Sequence, residues 1–66
     1  MDSEYVREYV GKVCKLDLEN GYYYHGKILS VGDDSLVLLD KTNRKVILAL
    51  SIIVKIIGDA EWKEGV

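Results

Sequence analysis

The chain has 66 residues, 48% of them hydrophobic, and its 9 Lys and Arg against 11 Asp and Glu leave a formal charge of −2. That length allows one domain, and a domain this small buries only about 60% of the surface its unfolded chain exposes, so it usually needs a staple or self-association. Cys14 is the single cysteine, which excludes an intrachain disulfide and a site with several thiolate ligands, fits a reducing compartment, and reads as a small buried hydrophobe.

The acid excess is not the balance that non-specific nucleic-acid binding demands, although a local basic patch remains compatible with it. No apolar run reaches the ~20 residues of a membrane span. The opening "MDSEYVREYV" leads with acids and lacks the basic-then-apolar layout of a signal peptide, so a cytoplasmic protein is expected. Proline is absent and only 6 glycines occur, so nothing reads as a linker, repeat or low-complexity segment.

Asp2 and Ser3 can both cap a helix, and "EYVREYV" follows with Tyr5/Tyr9 and Val6/Val10 at i,i+4 spacing. Gly11 would end it, so a short helix over residues 3–10 is predicted, with an apolar stripe to dock. From Val13 the period becomes two. Cys14, Leu16 and Leu18 alternate with Lys15, Asp17 and Glu19 as a half-buried strand. Asn20-Gly21 is a strong hairpin signal of the type I′ kind, which needs positive φ at both positions.

The next strand runs from Tyr22 to Val31. Alternation puts Tyr22, Tyr24, Gly26 and Ile28 on one face and Tyr23, His25, Lys27 and Leu29 on the other. Gly26 in mid-strand marks a bend or a close backbone approach. Leu29 and Val31 are apolar on what had been the polar face, a swap that suits a long strand bending across a barrel. A "GDD" turn (32–34) leads to "SLVLLD" (35–40), and the polar turn "KTNR" (41–44) leads to two more strands hinged at Ser51. One helix and five strands with frequent turns suggest a mainly β fold, a strongly bent five-stranded antiparallel barrel over residues 12–58 with a tail at 59–66.

All residues from Val46 to Ile57 are apolar except Ser51 and Lys55. A strand wetted on one face alternates, so this run implies burial on both faces. A chain of this size has no second layer to supply it. The last two strands, 46–50 and 52–57, are therefore expected in a subunit interface, most simply a homo-oligomer.

This pattern resembles the Sm/Lsm-like family, to which bacterial Hfq is related. In that family an N-terminal helix precedes a bent five-stranded SH3-like barrel, and subunits form rings through the last two strands. The resemblance covers residues 3–57. Its most specific part is the first motif, in which alternating apolar residues lead to a glycine and a second glycine follows after four residues. Here Cys14, Leu16 and Leu18 lead to Gly21, "YYYH" intervenes and Gly26 follows, with Tyr24, Ile28 and Val31 at inward positions, Leu36 and Leu38 after them, and Asp40 closing the third strand.

Other positions depart from the family. The aspartate of its RNA-binding loop falls on Gly32, beside Asp33, Asp34 and Ser35, and Leu36 stands where asparagine is usual. "LALSII" replaces the second motif's Arg-Gly or Lys-Gly pair. The resemblance implies single-stranded RNA as a partner, with the family's uridine pocket largely absent.

Two groups are candidates for RNA. Lys41, Arg44 and Lys45 form a basic cluster suited to phosphates, or an ordinary solvated hairpin. Tyr23, His25 and Lys27 form an exposed strip of aromatic, imidazole and ammonium, or a plain barrel exterior. Tyr24 is expected inside and Tyr22 near an edge, and base stacking on an aromatic is worth ~1–3 kcal/mol. Asp33 and Asp34 read as turn formers rather than as a cation site, and Trp62 is expected to pack the tail on the barrel or on a neighbouring subunit. No triad, phosphate loop or metal-ligand spacing appears, so neither an enzyme nor a cofactor is expected. The alternative to RNA binding is a protein-interaction or scaffolding module on the same barrel.

Overall fold

Alternation in the chain becomes alternation in space. The computed structural model describes residues 1–58, and the tail with Trp62 lies outside the described residues. Helix α1 (Ser3–Arg7) is followed by β1 (Val13–Leu18), β2 (Tyr23–Val31), β3 (Ser35–Asp40), β4 (Lys45–Ala49), a 3₁₀ turn (Leu50–Ile52) and β5 (Ile53–Ile57). The five strands form one antiparallel sheet in the order β4-β3-β2-β1-β5. No helix among the described residues is long and apolar enough to cross a membrane.

The link between β4 and β5 dictates the shape. These strands are opposite edges of the sheet, and the outer strands of a flat five-stranded sheet lie about 19 Å apart at the usual strand spacing. The connection is the single turn Leu50–Ile52, which advances only about 6 Å at the 3₁₀ rise. The sheet must therefore curl until its edges approach. Backbone bonds hold the turn on both sides: Leu50 N–H donates to the Asp34 carbonyl at 2.8 Å and Glu19 N–H to the Ile52 carbonyl at 2.9 Å. Closure into a complete barrel is not made. Leaving β4 through this turn rather than a hairpin delivers β5 to β1, and the sheet stays open between β4 and β5.

The inner face holds the core: Cys14, Leu16, Leu18, Ile28, Leu36, Leu38, Leu48, Leu50 and Ile53, with Val6 of α1 fully buried among them. The helix is shorter than its predicted span of 3–10. Tyr9 N–H bonds to the Val6 carbonyl and Val10 N–H to that of Arg7, three residues back, so the chain tightens into turns before Gly11 at φ 86°. Of the expected stripe, Val6 is buried and Tyr9 packs on the core, whereas Tyr5 and Val10 are exposed. A helix of 5 residues does not persist by itself. Its Asp2 cap, donated to by Glu4 N–H at 3.0 Å, and the burial of Val6 hold it.

The first hairpin is not type I′. Leu18 N–H bonds to the Tyr22 carbonyl and Gly21 N–H to the Leu18 carbonyl, and only Gly21 of the Asn-Gly pair has positive φ, at 90°. This is a three-residue loop, a tight turn closed by a left-handed glycine, and Asn20 Oδ1 accepts from Tyr22 N–H instead of entering the left-handed region. The β3–β4 turn repeats the arrangement with Asn43 at φ 64°.

The face swap along β2 has a local cause. Ile28 pairs with Leu38 but Ser30 pairs with Val37, so Leu29 is an extra, bulged residue. Beyond the bulge Val31 returns to the inner face and packs on the core. The apolar run 46–57 is not buried on both faces within one chain. Leu48, Leu50 and Ile53 are inside, while Ile47 and Val54 are 72% and 59% exposed.

Gly26 marks a close approach. A Cβ built there would lie 2.5 Å from the Leu39 carbonyl oxygen and 3.0 Å from Leu38 Cγ. Backbone cannot swing aside as a side-chain tip can, so Gly26→Ala should cost about 2 kcal/mol and lower Tm by about 10 °C. Gly32→Ala, whose Cβ would meet only the Ser35 carbonyl oxygen at an ordinary 3.6 Å, should melt near wild type. Equal melting of both variants by circular dichroism would contradict the close-approach account.

Candidate nucleic-acid interface

The two predicted basic and aromatic groups come from separate hairpins, and sheet register joins them. Gly26 of β2 pairs with Asp40, the last residue of β3, so the start of β2 runs beside the β3–β4 turn. On the outer face Val13, Lys27, Leu39 and Lys45 form one row across β1 to β4. The next row sets Ile57, Lys15 and His25 side by side, and a third holds Lys55, Asp17 and Tyr23. Lys41 and Arg44 are exposed in the adjoining turn. The candidate residues therefore share one face and one end of the sheet.

Lys15 joins the candidate residues through the sheet. Its Nζ lies 4.7 Å from the centroid of the Tyr23 ring, a cation–π distance, and 3.7 Å from Asp17 Oδ1. The signal was present in the alternation of β1, which puts Lys15 on the polar face, but which β2 residues it meets depends on the loop type. Tyr24 is a correction. It occupies an inward position opposite Leu16, yet it is 36% exposed, because β3 ends at Asp40 and offers no residue to cover it. Tyr22 is exposed beside the first turn.

Asp40 organises the β3–β4 turn. Its Oδ1 accepts hydrogen bonds from Thr42 N–H at 2.9 Å, the Thr42 hydroxyl at 2.7 Å and Arg44 N–H at 3.0 Å. The Thr42 hydroxyl above all, then the Arg44 amide, holds the carboxyl below its ordinary pKa. Arg44 is thereby fixed at the backbone while its side chain stays in solvent.

Five of the described acids gather at one end of the molecule, while Asp17 stays among the lysines of the outer face. Asp2, Glu4 and Glu8 lie on or next to α1, and Asp33 and Asp34 lie in the β2–β3 turn, tied to the helix by Arg7 at 3.6 Å from Asp33. Lys15, Lys27, Lys45 and Lys55 lie on the outer face of the sheet. An open hollow of about 410 Å³ at the acidic end is lined by Met1, Asp33, Asp34, Ala49, Leu50 and Ser51. Within it the Met1 ammonium donates to the Leu50 carbonyl at 2.9 Å. The hollow thus joins the β2–β3 turn to the β4–β5 junction, and its carboxylates disfavour a phosphate there. No family model matches the chain, and no curated protein or solved structure matches it.

A carboxyl whose folded pKa is depressed adds stability above its unfolded pKa, about 3.9 for Asp, and loses it as pH falls through the lower folded value. Thr42→Val keeps the side-chain shape and removes the leading donor to Asp40. In an NMR carboxyl titration the variant's Asp40 should titrate at higher pH than wild type's. An unchanged midpoint would remove the hydroxyl as the main cause.

Proposed function

We propose that this chain is a Sm-like, ring-forming RNA-binding protein of RNA metabolism, a cytoplasmic binding protein rather than an enzyme, whose curled sheet is the family's small barrel. One observation carries the assembly. The open edges β4 and β5 belong to one curled sheet, and each bears an exposed branched apolar residue, Ile47 or Val54. An uncovered edge of this kind is a template for another strand. Pairing β4 of one copy with β5 of the next joins unlike surfaces, and such head-to-tail contacts form a ring when the rotation closes. The resemblance noted for the sequence points to the same pair of strands, and self-association is what a small domain without a disulfide needs.

RNA is the ligand that the outer face suits. Lys41, Arg44 and Lys45 are exposed and free of the acidic end, and Tyr23, His25 and Lys27 continue the same surface on β2. Phosphates would be met by these cations. A second reading, a protein-interaction or scaffolding module, is favoured by one feature: the family's uridine pocket would be built from the β2–β3 turn and the β4–β5 junction, and here that place is a hollow with Asp33 and Asp34 in its wall.

Native mass spectrometry of the protein mixed with short U-rich and A-rich RNA separates these readings. A closed oligomer carrying RNA is expected, and Ile47→Lys or Val54→Lys should return it to monomer by placing a charge on the edge. A ring indifferent to RNA would favour the scaffold. A wild-type monomer would defeat the ring assignment.

A further inference from the structure

We propose that Tyr23, held by Lys15, is a base-stacking platform for single-stranded RNA whose backbone lies along Lys27 and Lys45 on the outer face of the sheet. The inference rests on the RNA-binding reading above and adds to it where and how a nucleotide is held. It begins from the Tyr23 ring, 60% exposed on the outward face of β2, where it adds nothing to the core. Lys15, opposite His25 on β1, approaches that ring to 4.7 Å and lies 3.7 Å from Asp17, the partner of Tyr23 in the register. The ammonium holds the ring from one side. A base can meet the aromatic surface left in solvent, and an ordered ring loses less freedom on binding than a loose one.

The cations near the ring are placed for a backbone rather than for a single anion. Lys27 lies four residues further along β2 on the same face, about 13 Å away at the strand rise. Lys45 lies two strands over in the row of Lys27 and Leu39, about 10 Å from Lys27 at the usual strand spacing. Two lysines on positions this far apart can each meet a separate phosphate of a single strand. A duplex hides its base faces inside the stack, so a ring used for stacking selects single strands. An acidic peptide would meet the lysines but would leave the ring without a role, which makes it the proper control.

The experiment is fluorescence anisotropy of labelled oligo-U and oligo-A RNA, titrated with the full chain at several salt concentrations. Tyr23→Leu should weaken binding by about tenfold, the scale of one lost base stack, with the salt slope unchanged. Tyr23→Phe, which keeps the ring, should bind close to wild type. Lys27→Ala with Lys45→Ala should lower the slope of log K against log salt by about 1.4, or 0.7 per phosphate contact on a single strand. In the wild type, RNA should shift the Tyr23 ring protons upfield by NMR, a readout that needs no variant. Full-strength binding by Tyr23→Leu, with no ring shift, would overturn the platform and leave RNA binding standing. Binding of poly-glutamate as tight as RNA and equally insensitive to Tyr23 would overturn it in favour of an acidic partner. Absence of RNA binding by the wild type would overturn both this inference and the function on which it rests.

Discussion

Among the described residues, a sheet of short strands has one apolar face and almost nothing to lay it against, so it buries that face against itself. Helix α1 brings one fully buried side chain, Val6, so nearly all the remaining cover comes from curling. The Leu50–Ile52 turn enforces this by tying opposite edges of the sheet together over a distance no flat sheet permits. The other irregularities serve the same end. Gly26 lets β2 and β3 close to a distance that a side chain would forbid, and the bulge at Leu29 returns Val31 to the inside after the bend. A second bulge, where Val54 is skipped between Leu18–Ile53 and Asp17–Lys55, lets β5 follow the curve of β1.

Curling also sorts the charges. Residues at the helix end and in the β2–β3 turn gather at one end of the molecule, while the outward positions of β1, β2, β4 and β5 make a separate surface. Exposed pairs such as Arg7 with Asp33 contribute little to stability in water. Their effect is on the field: the acids near α1 and in the β2–β3 turn lie away from the outer-face lysines, among which Asp17 is the neighbouring carboxylate. The net charge of −2 is then a poor guide to what either surface attracts.

The strands were legible because the inner face alternates almost without interruption from Cys14 to Leu18 and from Leu36 to Leu38. Even the first loop was legible in principle. If Cys14, Leu16 and Leu18 face inward together with Gly26 and Ile28, residues of equal parity must pair, and only a loop with an odd number of residues allows it. An Asn-Gly type I′ turn, with two, would have set Lys15 against Gly26 and turned one strand inside out. The helix is shorter than its i,i+4 spacing suggests, because that spacing does not register the turns whose hydrogen bonds the Val6 and Arg7 carbonyls accept. The exposure of Tyr24 is not legible in its own strand, because its cover depends on where β3 ends, a property of a different segment. The Lys15–Tyr23 contact depends on register between strands, which no single stretch of sequence contains.

Cys14 has a further use. It is fully buried on the inner face of β1, among the core side chains. A thiol reagent in solution reaches it only after the core around β1 opens. Under native conditions its modification rate therefore reports how often the core opens. With a single cysteine in the chain the signal has one source, so the thiol serves as an internal clock for breathing of the core.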